Sequence, residues 1–215
     1  MTRDTQNILH NSFKKIHMMV NKKESELCNL RHFLIDKPIE YFFKYFPSRI
    51  RNVGEDAVNA RELIWAFKDA EADAFEEVAQ IVAEHLIEKF GEKRLMNMSF
   101  VCVPPSSKEA YANRYFNFCN RVEELTGIGN GFSHVCLLKS RKASHEHKRG
   151  KKKEDIDLQP IDIDKDYFAG KEVCVFDDVI TTGKSFARFA SMLEDCGAYV
   201  VNGVFLGKTF YRYDE

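Results

Sequence analysis

Two adjacent carboxylates, Asp177 and Asp178, follow the apolar run Val173-Cys174-Val175-Phe176 and precede Thr181, Thr182, Gly183, Lys184 and Ser185. Four consecutive apolar residues read as a buried strand, and the acids fall at its C-terminal end, where open α/β sheets place ligands. The hydroxyl-rich turn then leads into a helix. Gly183 lets the backbone approach an anion, Ser185 is placed to cap the helix, and free N–H groups at the positive helix end make a phosphate cradle. Each such charge interaction is worth about 0.3–1 kcal/mol exposed and up to about 2 kcal/mol when partly buried. Carboxylates beside a phosphate repel it unless something lies between. Two ribose hydroxyls fit there, because they donate to carboxylates while the 5′-phosphate reaches the turn. Phosphate, diol and helix end together indicate a ribose-5-phosphate ligand, against the plainer reading of a strand–turn–helix with an incidental acidic pair. The Gly183-Lys184-Ser185 end imitates a Walker A loop only in part: that loop requires glycine where Asp178 stands, and a carboxylate there repels a nucleotide's phosphates.

The elements that must position this segment are legible on either side. Phe75, Val78, Ala79, Val82, Ala83, Leu86, Ile87 and Phe90 recur at helical spacing, which predicts a helix over 74–90. Asp73 with Glu76 marks its start and Gly91 its end. A buried strand over 100–103 runs into Pro104-Pro105-Ser106-Ser107, and a helix follows from Lys108 to Leu125, stopped by Gly127. His134–Leu138 reads as another short strand, Ser185–Cys196 as a helix stopped by Gly197, and Tyr199–Leu206 as the next strand. Strand–helix–strand units at this spacing imply an α/β fold: a mainly parallel twisted sheet with helices on both faces. Residues 1–48 read as an N-terminal helical extension, with Ile8, Leu9, Phe13, Ile16, Met19 and Val20 on one face, and residues 49–215 as the α/β domain. The aromatic cluster Tyr41–Phe46 is read as core or as a docking surface for a second copy or a partner protein.

Bulk composition narrows the function classes. A net charge of −1 over 215 residues gives no global attraction to nucleic acid or membrane, so charge arguments must be local. No run of about 18 apolar residues exists to span a membrane, and Met1–Val20 carries charges and no cleavage pattern, so a signal peptide is not expected. The six cysteines are scattered without a C-x-x-C pair. Buried free thiols in a reducing cytoplasm, rather than disulfides or a zinc ribbon, are the expectation. Lys139–Lys153 is strongly basic and Glu154–Asp166 strongly acidic, the pattern of a long exposed loop, read as simply solvated or as a nucleic-acid patch. His145 and His147 lack a third ligand and are not read as a metal site.

The run from Val173 to Ser185 resembles the motif by which type I phosphoribosyltransferases bind phosphoribosyl pyrophosphate (PRPP): four hydrophobics, two acids, two hydrophobics, then Thr-Thr-Gly-x-Ser. Other segments are similar to the ComF competence-protein (amidophosphoribosyltransferase-like) branch. Ala60–Lys68 resembles its Arg-x-Leu-Ile…Lys stretch, Val101–Ser106 its Val-Pro-x-Pro strand end, and Arg114-Tyr115-Phe116-Asn117 its Arg-Gly-Phe-Asn with tyrosine for glycine. The resemblance covers about Arg61 to Thr209. It implies a cytoplasmic Mg²⁺-dependent glycosyltransferase of nucleotide metabolism, moving phosphoribosyl to a nitrogen nucleophile and releasing pyrophosphate. By position it implies catalytic roles for Asp177 and Asp178 on the ribose 2′- and 3′-hydroxyls, and 5′-phosphate binding by Thr181, Thr182, Gly183, Lys184 and Ser185. Pyrophosphate would meet Pro105, Ser106, Ser107 and Lys108, with Lys148 and Arg149 from a flexible lid that the resemblance places over Lys139–Asp157. Mg²⁺ would be held by PRPP oxygens, the acids reaching it through water, with no direct protein ligand. A dimer is also implied. The chain departs from the branch at its N-terminus, where only Cys28 stands in place of a zinc ribbon, and in the lid, where Ser144–Arg149 replaces a Gln…Arg…Asn pattern. Those departures keep alternatives in view: a non-catalytic PRPP or nucleotide sensor, or an accessory or defence effector acting on nucleic acid. Lys208, Phe210 and Tyr211 are read as ordinary strand-end residues rather than nucleobase contacts.

Overall fold

A computed structural model describes residues 37–138 and 160–212. From Pro38 onward the chain forms one compact unit. Its strands are β1 (Ile39–Tyr45), β2 (Met98–Cys102), β3 (Gly129–Asn130), β4 (Val135–Leu137), β5 (Ile161–Ile163), β6 (Glu172–Ile180) and β7 (Tyr199–Thr209). Its helices are α1 (Glu55–Lys68), α2 (Ala72–Phe90), α3 (Glu92–Leu95), α4 (Lys108–Thr126), α5 (Lys165–Phe168) and α6 (Lys184–Asp195), with a 3₁₀ turn at Phe132–His134. Five strands form a wholly parallel sheet in the order β1-β7-β6-β2-β3, with helices on both sides. The α/β expectation holds. β6 lies in the middle, so both faces of its N-terminal half are covered and Val173, Cys174, Val175 and Phe176 are buried, as a central parallel strand requires.

Two glycines in β7 set how closely the helices lie. A Cβ on Gly203 would stand 2.7 Å from the Phe186 ring of α6, and one on Gly207 would stand 2.6 Å from Ile64 Cδ1 of α1. Their hydrogen atoms are what admit those two side chains to the sheet.

Several expectations are corrected. Residues 39–45 form a strand rather than part of a helical extension: β1 pairs in parallel with β7, from Ile39 opposite Gly203 to Tyr45 opposite Thr209. The aromatic and β-branched content of Ile-Glu-Tyr-Phe-Phe-Lys-Tyr suits a pleated edge better than a helix. Phe46, just beyond, is core, whereas Tyr41 is exposed. Residues 1–36, with the apolar face Ile8–Val20 and Cys28, lie outside the described residues, as do residues 139–159 with Lys148, Arg149 and the histidines.

Helix α2 starts at Ala72 with Glu71 as its cap, so Asp73 sits inside the first turn instead of capping it. The reason is a tight reversal from α1, in which Ala70 takes φ +59. Gly91 and Gly127 end α2 and α4 with φ +74 and +72, as read. β4 does not join the main sheet but pairs antiparallel with β5, inside the segment read as an acidic loop. Cys136 there is exposed; among the described residues, Cys102, Cys119 and Cys174 are the buried free thiols. Among the described residues, no helix is long and apolar enough to cross a membrane.

Candidate functional site

The acidic pair lies within the last turnings of β6, paired with β7 (Asp177 opposite Phe205), rather than beyond the strand. Alternation along a strand sends the two side chains to opposite faces. Asp178 is buried and Asp177 half-buried. Beneath them Phe176 meets the rings of Phe118 at 4.8 Å, Phe67 at 5.9 Å, Phe100 at 6.0 Å and Tyr115 at 6.4 Å. These rings come from α1, β2 and α4, so three elements support one strand end.

Asp178 is charge-balanced. Arg114 of α4 donates from Nη1 to its Oδ2 over 2.6 Å, and Lys68 at the end of α1 places Nζ 3.5 Å from Oδ1. Arg114 also donates from Nε to the Lys68 carbonyl at 3.2 Å, tying the two cations' elements together. Burial works against the Arg114 charge, but Tyr115 and Asp178 beside it push its pKa upward. Asp177 receives its own neighbour's backbone N–H at 2.9 Å and the Tyr115 hydroxyl at 3.5 Å. Burial, and then the Asp178 carboxylate, push the Asp177 carboxyl well above the ordinary carboxylate range. Burial likewise raises the Tyr115 phenol, with Asp178 and Asp177 adding to the effect, so it stays a donor. A carboxyl pushed toward its neutral form can both accept from and donate to hydroxyl groups.

The turn after β6 is as open as a phosphate loop must be. Thr181, Thr182, Lys184 and Ser185 are exposed, and Gly183 alone is buried. Gly183 is left-handed at φ 73 and is itself the N-cap of α6, so Ser185 lies inside the first turn and does not cap. The cap lacks a side-chain acceptor, which leaves the first N–H groups of α6 pointing into the turn. Thr181 Oγ1 meets Thr209 Oγ1 at 2.7 Å and fixes the turn to the end of β7. A cavity of about 150 Å³ is lined by Asp177 and by the whole stretch Thr181–Ser185.

The segment after β2 is less available than its sequence implied. Ser107 caps α4, accepting from Ala110 N at 3.1 Å, so its hydroxyl is already engaged. Val103 N donates to the Phe176 carbonyl at 2.8 Å, which holds Pro104 and Pro105 next to the end of β6. Ser106 and Lys108 are exposed. Lys68, Arg114 and Tyr115 carry no local sequence signal for this site. The signal for the two cations is that they fall in Ala60–Lys68 and Arg114–Asn117, the segments that resemble the ComF branch.

A parallel sheet with an acidic strand end followed by a Gly-initiated helix is consistent with the type I phosphoribosyltransferase-like fold. The chain is similar to the competence protein ComFC of Streptococcus pneumoniae (strain ATCC BAA-255 / R6), with 30% identity over 106 residues, 49% of this chain and 46% of that protein. The chain thus matches about half the length of that relative. No family model matches the chain.

Proposed function

We propose that the chain binds a ribose 5-phosphate group, with PRPP as its activated form, and transfers the phosphoribosyl unit to a nitrogen nucleophile. The observation that carries this reading is the shared cavity: Asp177 and the turn Thr181–Ser185 line one space of about 150 Å³. A 5′-phosphate would take the N–H groups that open α6, and the ribose hydroxyls would face the acids. Likeness to ComFC, itself only partial, supports the same direction.

In the proposed reaction the bond between C1 and the pyrophosphate oxygen breaks, a C1–N bond forms, and pyrophosphate leaves with the electron pair. The nucleophile's proton passes to solvent or to a base. Positive charge develops on the ribose ring, as in other oxocarbenium-like transfers. The Asp178 carboxylate would stabilise that charge where it forms, while Asp177 would hold a ribose hydroxyl by hydrogen bonding. Mg²⁺ suits the donor set, since carboxylate and phosphate oxygens are hard ligands. It would supply charge neutralisation of the pyrophosphate, with Asp177 and Asp178 reaching it through water.

Isothermal calorimetry with PRPP and Mg²⁺ tests binding, and pyrophosphate release with a panel of bases and amines tests transfer. Neutralising both acids together, Asp177→Asn with Asp178→Asn, should weaken PRPP binding by about 100-fold, since hydrogen bonds to charged groups are worth about 1.5–3 kcal/mol each. Unchanged affinity in that double variant would end the ligand assignment.

One observation favours a second reading, binding without turnover. Asp178 is already satisfied by Arg114 at 2.6 Å, so a diol has to displace a cation to use it. A site built to exchange partners in this way suits a sensor. PRPP binding with no pyrophosphate released from any acceptor is the outcome that selects it.

A further inference from the structure

We infer that Trp65 and Tyr45 form a wall that takes a planar nitrogen heterocycle beside the acidic pair, so that the favoured ligand is a nucleotide rather than a bare sugar phosphate. This inference rests on the ribose 5-phosphate reading above and names the group attached to that sugar.

Four observations converge on the wall. Trp65, on α1, is 41% exposed although its helix neighbours Ile64 and Phe67 are fully buried. Its indole is nonetheless held: Nε1 donates to the Tyr45 hydroxyl at 3.2 Å, joining α1 to the end of β1. Arg61 stacks its guanidinium over the indole at 5.5 Å and thereby occupies one face. The Arg61 Nε is shielded from solvent and meets no acceptor among the described residues. A large ring held by an edge bond and a cation on one face, yet left in water, is arranged as a stacking platform.

The wall is attached to the site at two points. Lys68 places its Nζ 3.5 Å from Asp178 Oδ1 and 5.9 Å from the centre of the Tyr45 ring, so one cation serves both carboxylate and aromatic face. Tyr45 also lies opposite Thr209 in the β1–β7 ladder, and Thr209 carries the hydroxyl that meets Thr181 of the phosphate turn. The wall, the acids and the turn therefore gather at the carboxyl ends of adjoining strands. A sugar whose hydroxyls face Asp178 would turn its C1 substituent toward that wall, since Lys68 lies between the acid and the Tyr45 ring. A flat heterocycle gains stacking energy on the free face of the indole, and its carbonyl oxygens and ring nitrogens offer acceptors to Lys68. A simple amine gains neither.

Trp65 is the sole tryptophan of the sequence, which makes its fluorescence a direct readout. Ribose 5-phosphate and the 5′-monophosphates of adenosine, guanosine and uridine should be titrated in Mg²⁺ buffer, by calorimetry and by emission excited at a wavelength selective for tryptophan. At least one nucleotide is expected to bind about tenfold more tightly than ribose 5-phosphate, in line with base–aromatic stacking, and to quench Trp65. Ribose 5-phosphate should leave the emission nearly unchanged. In Trp65→Leu the affinity ratio of that nucleotide to ribose 5-phosphate should fall to near one, and Trp65→Phe should restore part of it. Equal affinities with unquenched emission overturn the wall while leaving the sugar-phosphate site standing. So does a ratio that survives in Trp65→Leu. If neither ligand binds, the underlying ribose 5-phosphate reading falls and the wall falls with it.

Discussion

The Arg114 guanidinium and the Asp178 carboxylate, 64 residues apart in the chain, meet at 2.6 Å with only 17% and 11% of their side chains exposed. A pair so placed gains from a lowered dielectric but depends on both members. Removing the cation leaves Asp178 to Lys68 alone, at 3.5 Å. Arg114→Gln is therefore expected to cost about 2–3 kcal/mol of stability, read from urea midpoints. Arg114→Lys should recover only part, because one ammonium cannot serve both Asp178 and the Lys68 carbonyl in the geometry of a guanidinium.

Asp177 has the opposite character. Its folded-state pKa lies above its ordinary 3.8, so the neutral form is favoured in the fold. The stability it allows is fully present below 3.8 and is lost as pH rises through the raised folded value. Asp177→Asn should accordingly be more stable than the parent at pH 7, with the gap closing as pH falls toward 3.8. Parallel urea titrations at pH 7 and pH 4 measure it. A gap that widens on acidification contradicts the burial of the Asp177 charge.

Glu40 illustrates a depressed carboxylate at the other end of the sheet. Burial alone would raise it, yet Lys89 at 2.7 Å, Asn202 at 2.8 Å and His85 at 3.0 Å hold it below its ordinary 4.5. Its contribution is present above 4.5 and is lost as pH falls through the lowered folded value. Because the group is 37% exposed, screening limits the effect to no more than about 1 kcal/mol. Glu40→Gln should flatten the acid limb of the stability curve below 4.5 and change little at its foot.

Gly203→Ala should destabilise by about 1–3 kcal/mol, because the new Cβ would stand 2.7 Å from a ring that α6 cannot easily withdraw. Combining it with Phe186→Leu should recover part of the loss relative to the sum of the single changes. Thermal melts of the four-member cycle check the coupling.

The strand–turn–helix around Asp177 was readable because all its signals are local: four apolar residues, two acids, a hydroxyl turn and a glycine. Even there the helix is capped at Gly183, two residues before the Ser185 that its residue type suggests. A left-handed Gly183 can start a helix without a side-chain oxygen, and no neighbouring residue type announces that. β1 was hidden for a different reason. A parallel edge strand owes its existence to β7, more than 150 residues later, and its seven residues carry a mixed burial pattern that fits neither period cleanly. The Arg114–Asp178 and Trp65–Tyr45 contacts are likewise tertiary. Periodicity assigns Arg114 and Trp65 to helices but cannot say which strand end those helices overhang.

The ring cluster under Phe176 bears on how recognition is distributed in time. Phe67, Phe100, Tyr115 and Phe118 interlock around the residue immediately before Asp177. Such rings have few rotamers and interlock closely, so the carboxylates stand on a stiff slab. The entropy of fixing them falls on folding rather than on binding. What remains adjustable is the rim, namely Arg114, Lys68 and the exposed turn. Changes of specificity are therefore expected to accumulate in those rim side chains, while substitutions in the slab show up first as loss of the fold.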